Sequence, residues 1–175
     1  KEVHLEEEWE DVDLNEAFHL IKVFFARNKN KYSENSKTEQ FLQANIEGIR
    51  FIGFADRIDY HEDWIEIIDY KTGKTIVSPR ARNWQLGYYV MAAEKFGKVK
   101  KITLDMLKQD SPLEFELDDN GNAASINSNL SFNINDVREE LIETAKKIHE
   151  AYKSGFKPCP IEKNCEFCNE YVYGL

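Results

Sequence analysis

Apolar and polar positions along this chain follow two different rhythms. In residues 12–28 (DVDLNEAFHLIKVFFAR), Leu14, Ala17, Phe18, Ile21, Phe24 and Phe25 recur at helical spacing and predict a helix. The polar stretch NKNKYSENSK (28–37) is a connection, and a strand is expected over 39–46 with a turn at 47–48. The rhythm then shortens. Phe51, Ile52, Phe54 and Ile58 mark one strand, and Ile65, Ile67 and Ile68 mark the next. The polar residues His61, Glu62, Asp63 and Trp64 between them read as a hairpin turn.

Pro79 opens a second helix reaching about Phe96, with Gly97 placed to end it. Strands are predicted at 101–107 (KITLDML) and 113–117 (LEFEL). Residues 118–132 are turn-rich and polar, and read as a hairpin loop or excursion. A long amphipathic helix follows over 134–153, with Ile134, Val137, Leu141, Ile142, Ala145 and Ile148 expected inward. Gly155 ends it before a Pro- and Cys-containing tail. This order predicts an α/β (α+β) domain with a mixed central sheet flanked by helices.

The hairpin brings candidate chemistry into view. It carries GFADRID (53–59) and IIDYKTGK (67–74). If Tyr60 pairs with Ile65, Asp56 falls opposite Asp69, where directly opposed Cβ atoms lie about 4.5–5.5 Å apart. Period-two alternation puts Lys71 on the face of Asp69 and Tyr70 on the other. Opposed like charges destabilise a sheet unless a cation accepts both carboxylates. Two hard oxygen ligands suit Mg²⁺ or Mn²⁺. Lys71 would then orient a water or neutralise charge building on a phosphate. The same residues also read as a solvated hairpin face with one cross-strand salt bridge.

At 175 residues the chain is expected to be a single domain, 1–175, with a core of its own. It begins with Lys1, which suggests a domain cut from a longer protein. Neither a signal peptide nor an apolar run of membrane-spanning length is visible, so a cytoplasmic, nucleoid-associated location is expected, without membrane partners. The net charge of −9 argues against a broadly cationic nucleic-acid binder. The charge is uneven, however: residues 1–13 are strongly acidic, whereas Lys71, Lys74, Arg80 and Arg82 form a cationic stripe without an acid. That stripe suits a phosphate backbone, or is an ordinary solvated loop.

Gln85 and Tyr89 lie four apart on the second helix and share a face. With them, GFADRID, IIDYKTGK and QLGYY (85–89) occur in the order and spacing of the PD-(D/E)XK nuclease superfamily, and the chain resembles its RecB-type branch. The resemblance spans roughly residues 12–107 and implies a restriction-endonuclease-like αβββαβ core. It implies Asp56 and Asp69 as metal ligands joined by the backbone carbonyl of Tyr70, and Lys71 as the catalytic lysine. Gln85 and Tyr89 match a Gln-x-x-x-Tyr motif that contacts the substrate strand or braces the site. His19 is the best match to a metal-facing residue on the first helix, with His4 a weaker one. Glu39 resembles an acidic residue entering the first strand, in a structural or outer-shell role. Lys74, Arg80 and Arg82 complete the expected DNA contacts.

The three cysteines, Cys159, Cys165 and Cys168, lie in the tail of 156–175, expected to pack on the core. Many RecB-type nucleases hold a [4Fe–4S] cluster with one upstream Cys and a Cys-x₂-Cys-x₅-Cys tail. Here Cys165 and Cys168 fit the first pair, but the next position is Gly174, and the remaining cysteine precedes the pair. A cluster normally uses four thiolates. The tail therefore holds an incomplete cluster, Zn²⁺ with a histidine, or no metal.

The function implied is a Mg²⁺- or Mn²⁺-dependent deoxyribonuclease, of exonuclease type, acting in DNA repair, recombination or CRISPR adaptation. Its expected partners are DNA and a helicase subunit or domain. The alternative is an inactive nuclease-fold module that binds DNA or serves as a scaffold. TGKT (72–75) lacks the earlier glycine of a phosphate-binding loop, since position 68 is Ile, and no Gly-x-Ser-x-Gly elbow is present.

Overall fold

The computed structural model describes residues 13–73 and 78–155. Helix α1 (Leu14–Asn28) is followed by strands β1 (Ser36–Ile46), β2 (Ile49–Tyr60) and β3 (Ile65–Lys71). Helix α2 (Pro79–Ala93) then leads through a short 3₁₀ turn to β4 (Val99–Met106) and β5 (Leu113–Leu117). Strands β6 (Asn122–Ser125) and β7 (Ser131–Asn133) precede helix α3 (Ile134–Ser154). The αβββαβ succession expected from the residue pattern is present, and the fold is mixed α/β, consistent with a restriction-endonuclease-like architecture. The polar stretch 118–132 is more ordered than its composition suggests, since it contributes β6 and β7.

All seven strands lie in one sheet, in chain order. Every neighbouring pair is antiparallel except β3 and β4, which run parallel. A parallel pair needs a crossover connection, and α2 supplies it. The helix starts cleanly: Ser78 Oγ accepts from the amide of Ala81, and Pro79 occupies the first turn, where its missing N–H costs nothing. Leu86, Tyr89, Val90 and Ala93 of α2 are buried with Ile58, Ile67, Ile102, Leu104 and Phe115 of the sheet. At about 1.5–3 kcal/mol per buried large side chain, this layer is the main apolar stabilisation of the fold.

The chain divides into two compact units, residues 1–138 and 139–175. The sheet, α1, α2 and the first turn of α3 belong to the first. Within it, a Cβ at Gly87 would stand 2.5 Å from Val137 Cγ1, so only glycine lets α2 approach the start of α3 this closely. Gly87→Ala gains about 1 kcal/mol of helix propensity but overpacks a β-branched neighbour, at about 1–3 kcal/mol. A net loss of thermal stability is expected in a melting experiment, reversed in part by adding Val137→Ala. In the second unit, Ile142 is buried, whereas Ile148, expected inward, is half exposed.

Helix α1 also departs from the apolar pattern. Asp13 caps it by accepting from the amides of Asn15 and Glu16. Yet Leu14, Phe18, Ile21 and Phe25 are exposed. The helix is instead pinned through a neighbouring face that ends in polar residues. Arg27 Nη1 lies 2.7 Å from Asp105 Oδ1, and Asn28 Nδ2 donates to Asp105 Oδ2 at 3.2 Å. Phe24 meets the ring of Tyr70 edge-on. Helices α1 and α2 therefore cover opposite faces of β3: Tyr70 points to α1, and Asp69 to α2. Among the described residues, no helix is long and apolar enough to cross a membrane.

Candidate active site

The β2–β3 hairpin has the register expected from sequence. Tyr60 pairs with Ile65, and the ladder continues through Arg57 and Ile68. One more step would place Asp56 opposite Asp69, but there the backbone pairing stops. The Asp56 carboxylate takes over the rung, with Oδ2 accepting from the amide of Tyr70 at 2.7 Å.

Pairing lapses on the other side of Asp56 as well. Thr38 pairs with Arg57 and Gln40 with Ala55, while Glu39 between them sits unpaired at φ 49°. A non-glycine residue in the left-handed region is uncommon and strained. The strand changes face at this point. Ala55 and Ile58 are both fully buried in the same core although they are three residues apart, a spacing that sends side chains of a regular strand to opposite sides. Such local breaks in pairing re-aim side chains beside functional sites. Asp56 thus sits where the β1–β2 ribbon leaves the sheet and a fork opens beside β3.

Asp69 lies inside that fork and is 2% exposed. Two donors from α2 converge on Oδ1: Gln85 Nε2 at 3.0 Å and the Tyr89 hydroxyl at 2.8 Å. Gln85 Nε2 also lies 2.8 Å from the Tyr89 oxygen, which ties the two α2 side chains together. The other carboxylate oxygen is treated differently. Lys71 Nζ approaches Oδ2 to 2.6 Å, but Oδ2 is buried and receives no hydrogen bond of proper geometry. Among the described residues its partner is that ammonium alone, whereas Oδ1 has two neutral donors.

Burial raises the Asp69 pKa above the usual carboxylate range, and the Asp56 charge adds to the rise, while Lys71 and Tyr89 oppose it. The Tyr89 phenol is pushed well above its ordinary value by burial and then by the Asp69 charge, so it remains a protonated donor. A desolvated carboxylate oxygen with a second carboxylate nearby and a lysine alongside fits a divalent cation of the oxygen-seeking kind. Asp56 and Asp69 are the residues that would hold it.

The other expected site residues separate into three groups. Gln85 and Tyr89 join the site by gripping Asp69. His19 is exposed on α1, bordering a cleft with Glu16, Leu20, Lys108 and Gln109. Among the described residues, no three His, Cys, Asp or Glu side chains gather where they could hold a metal ion. Arg82, expected on a cationic surface stripe, is buried with its guanidinium 5.7 Å from the centre of the Phe115 ring. Arg80 stacks on Trp84 instead, at 4.6 Å. Glu39 is exposed and marks the strained position across from Asp56. Lys74, His4, Cys159, Cys165 and Cys168 lie outside the described residues, as does the tail of 156–175.

Sequence reasoning missed Arg57. It is buried on the α1 side, bonded to both oxygens of Asp59, the carbonyl of Lys31, Asn28 Oδ1 and the Tyr70 hydroxyl. Burial works against its charge, but hydrogen bonds to Asp59 and Tyr70 more than offset this and raise its pKa. A signal was available: an arginine flanked by acids inside an otherwise apolar strand must find a buried partner.

Among known proteins, the sequence family that matches is the PD-(D/E)XK nuclease superfamily, over residues 2–170. No curated protein matches the chain. The match takes in the residues of the fork, and the chain belongs to the PD-(D/E)XK nuclease superfamily.

Proposed function

We propose that this domain is a metal-dependent deoxyribonuclease of the RecB type that hydrolyses phosphodiester bonds at the fork between β2 and β3. Membership of the superfamily supports nuclease activity, with divalent metals such as Mg²⁺ as the typical cofactors and DNA as the substrate. The observation that carries the reading is Asp69 Oδ2, a buried carboxylate oxygen whose partner among the described residues is the Lys71 ammonium at 2.6 Å, with Asp56 beside it. A bound Mg²⁺ or Mn²⁺ supplies a Lewis acid for a phosphoryl oxygen and lowers the pKa of water.

The remaining work falls to the chain itself. Asp56 and Asp69 fix the cation, and the Tyr70 carbonyl between Asp69 and Lys71 is the proposed third ligand. Gln85 and Tyr89 act as a brace: they occupy Asp69 Oδ1 and turn Oδ2 toward the fork. Lys71, beside Oδ2, orients the attacking water or stabilises charge on the phosphate as the P–O bond to the leaving sugar breaks. Exonucleolytic action beside a helicase, in repair, recombination or CRISPR adaptation, extends the same reading. A [4Fe–4S] cluster or Zn²⁺ on Cys159, Cys165 and Cys168 would be an added structural element.

A second reading, a nuclease fold kept only to bind DNA, draws support from the two protein carboxylates at the fork, where no third metal-ligating side chain joins them among the described residues. Labelled single- and double-stranded DNA incubated with Mg²⁺, Mn²⁺ or chelator separates the two. Cleavage that needs metal and disappears in Asp69→Ala and Lys71→Ala is the expected result. Binding without cleavage under every metal condition would favour the second reading.

A further inference from the structure

The β1–β2 ribbon extends beyond the fork with one face uncovered. Its inner face packs on α2: a Cβ at Gly53 would meet Tyr88 Cε1 at 2.9 Å, and the Tyr88 hydroxyl donates to the carbonyl of Leu42 at 3.0 Å. Its outer face carries three cross-strand pairs, Phe41 with Phe54, Gln43 with Ile52, and Asn45 with Arg50. Phe41 is 42% exposed, Ile52 57% and Phe54 56%. The two phenyl rings meet edge to face, 5.4 Å apart.

Two further observations indicate what this face takes. It ends beside the candidate active site, because Phe54 stands two residues before Asp56, about 7 Å along the strand, where the strand changes face. Between Glu39 at its base and Glu47 at its turn, it carries no carboxylate. In a chain of net charge −9, residues 40–46 and 49–55 contain no acid and one arginine. An apolar, acid-free surface leading to a phosphodiester site has the chemistry of a nucleobase platform. Aromatic faces stack any base, and a cation at the far end meets the backbone phosphate.

We infer that the outer face of the β1–β2 ribbon holds unpaired bases of single-stranded DNA, stacked on Phe41 and Phe54, and feeds the strand to Asp56 and Asp69. Arg50 meets a phosphate farther along the strand. This inference rests on the nuclease reading for its direction of travel, and its binding step is testable without cleavage. Fully paired DNA offers no free base face and gains nothing from the platform.

Binding of a short fluorescein-labelled oligothymidylate is measured by anisotropy in chelator, where no cleavage occurs. Phe41→Ala/Phe54→Ala is expected to weaken it roughly 10- to 100-fold. Phe54→Trp, which keeps an aromatic face, should hold affinity near that of the parent and quench a 2-aminopurine placed in the strand. Blunt duplex binding should not change. Hydrolysis of methyl p-nitrophenyl phosphate, a diester without bases, should be equal in parent and variants. If the parent cleaves neither DNA nor this diester, the nuclease reading fails while the binding result still decides the platform. Unchanged oligothymidylate affinity in the double alanine variant overturns the inference. So does equal weakening by Phe54→Trp. A change in oligomeric state with unchanged DNA affinity would assign the patch to self-association and overturn it too.

Discussion

Asp69→Asn is expected to abolish metal-dependent cleavage and yet make the metal-free protein more stable at neutral pH. The activity loss follows from the proposed ligand set. Asparagine presents a neutral amide where a carboxylate oxygen is needed, and the site keeps a single protein carboxylate. Lewis-acid assistance is worth several kcal/mol, and each ~1.4 kcal/mol is a factor of ten, so the rate should fall roughly a thousandfold or more. Lys71→Ala removes a charge beside Oδ2 and not a ligand, and should cost roughly 10²–10³-fold while metal binding persists.

The stability gain follows from the raised pKa of Asp69. A carboxyl whose folded pKa lies above its unfolded value contributes stability in full only below the unfolded value, about 3.9. That contribution is lost as pH rises through the folded value. At neutral pH the ionised group is therefore a burden, which asparagine does not carry. Each kcal/mol relieved should raise the melting temperature by ~2–4 °C. The gap between variant and parent, measured in chelator, should shrink as pH falls toward 4. A variant less stable than the parent at neutral pH would show that the charge on Asp69 is satisfied without metal.

The second large effect is expected one residue from Asp56, on the face of the sheet opposite Asp69. Arg57→Leu should destabilise the domain by about 3–5 kcal/mol, the usual cost of removing one partner from a buried charged network. The substitution strips donors from Asp59, Asn28, the Lys31 carbonyl and the Tyr70 hydroxyl together. The residues affected include Asp59, whose charge would be left without its arginine beside a polar cavity of about 100 Å³. Urea unfolding should show a lower midpoint, and the melting temperature should drop by ~6–20 °C. Arg57→Lys should recover only part of this, because an ammonium cannot bond both Asp59 oxygens in a planar fork.

Much of the fork was legible from residues alone. A short polar turn between two alternating segments set the β2–β3 register, and that register predicted which face each of Asp56, Asp69 and Lys71 would occupy. The four-residue spacing of Gln85 and Tyr89 gave their shared face, though not their common partner: Asp69 comes from another element, and single-sequence periodicity carries no distance between elements. The switch of face at Asp56 was not legible, because it arises from strained backbone at Glu39, a residue without the side-chain signature of a turn. Alternation marked Ile52, Phe54 and Ile58 as one strand, but did not show that the first two are exposed and the third buried. In α1 the apolar period was real, but polar anchors at Arg27 and Asn28 set the helix rotation. Arg82 was misplaced because a count of cations cannot distinguish a guanidinium in water from one lying against Phe115.

The bond from the Tyr70 amide to Asp56 Oδ2 stands in for a rung of the sheet, and so joins a candidate ligand directly to the main chain. Any cation that draws charge from Asp56 must weaken the pull on that one amide proton. Its magnetic resonance frequency thus reports whether the fork is filled, in the intact protein and before any bond in a substrate has been broken.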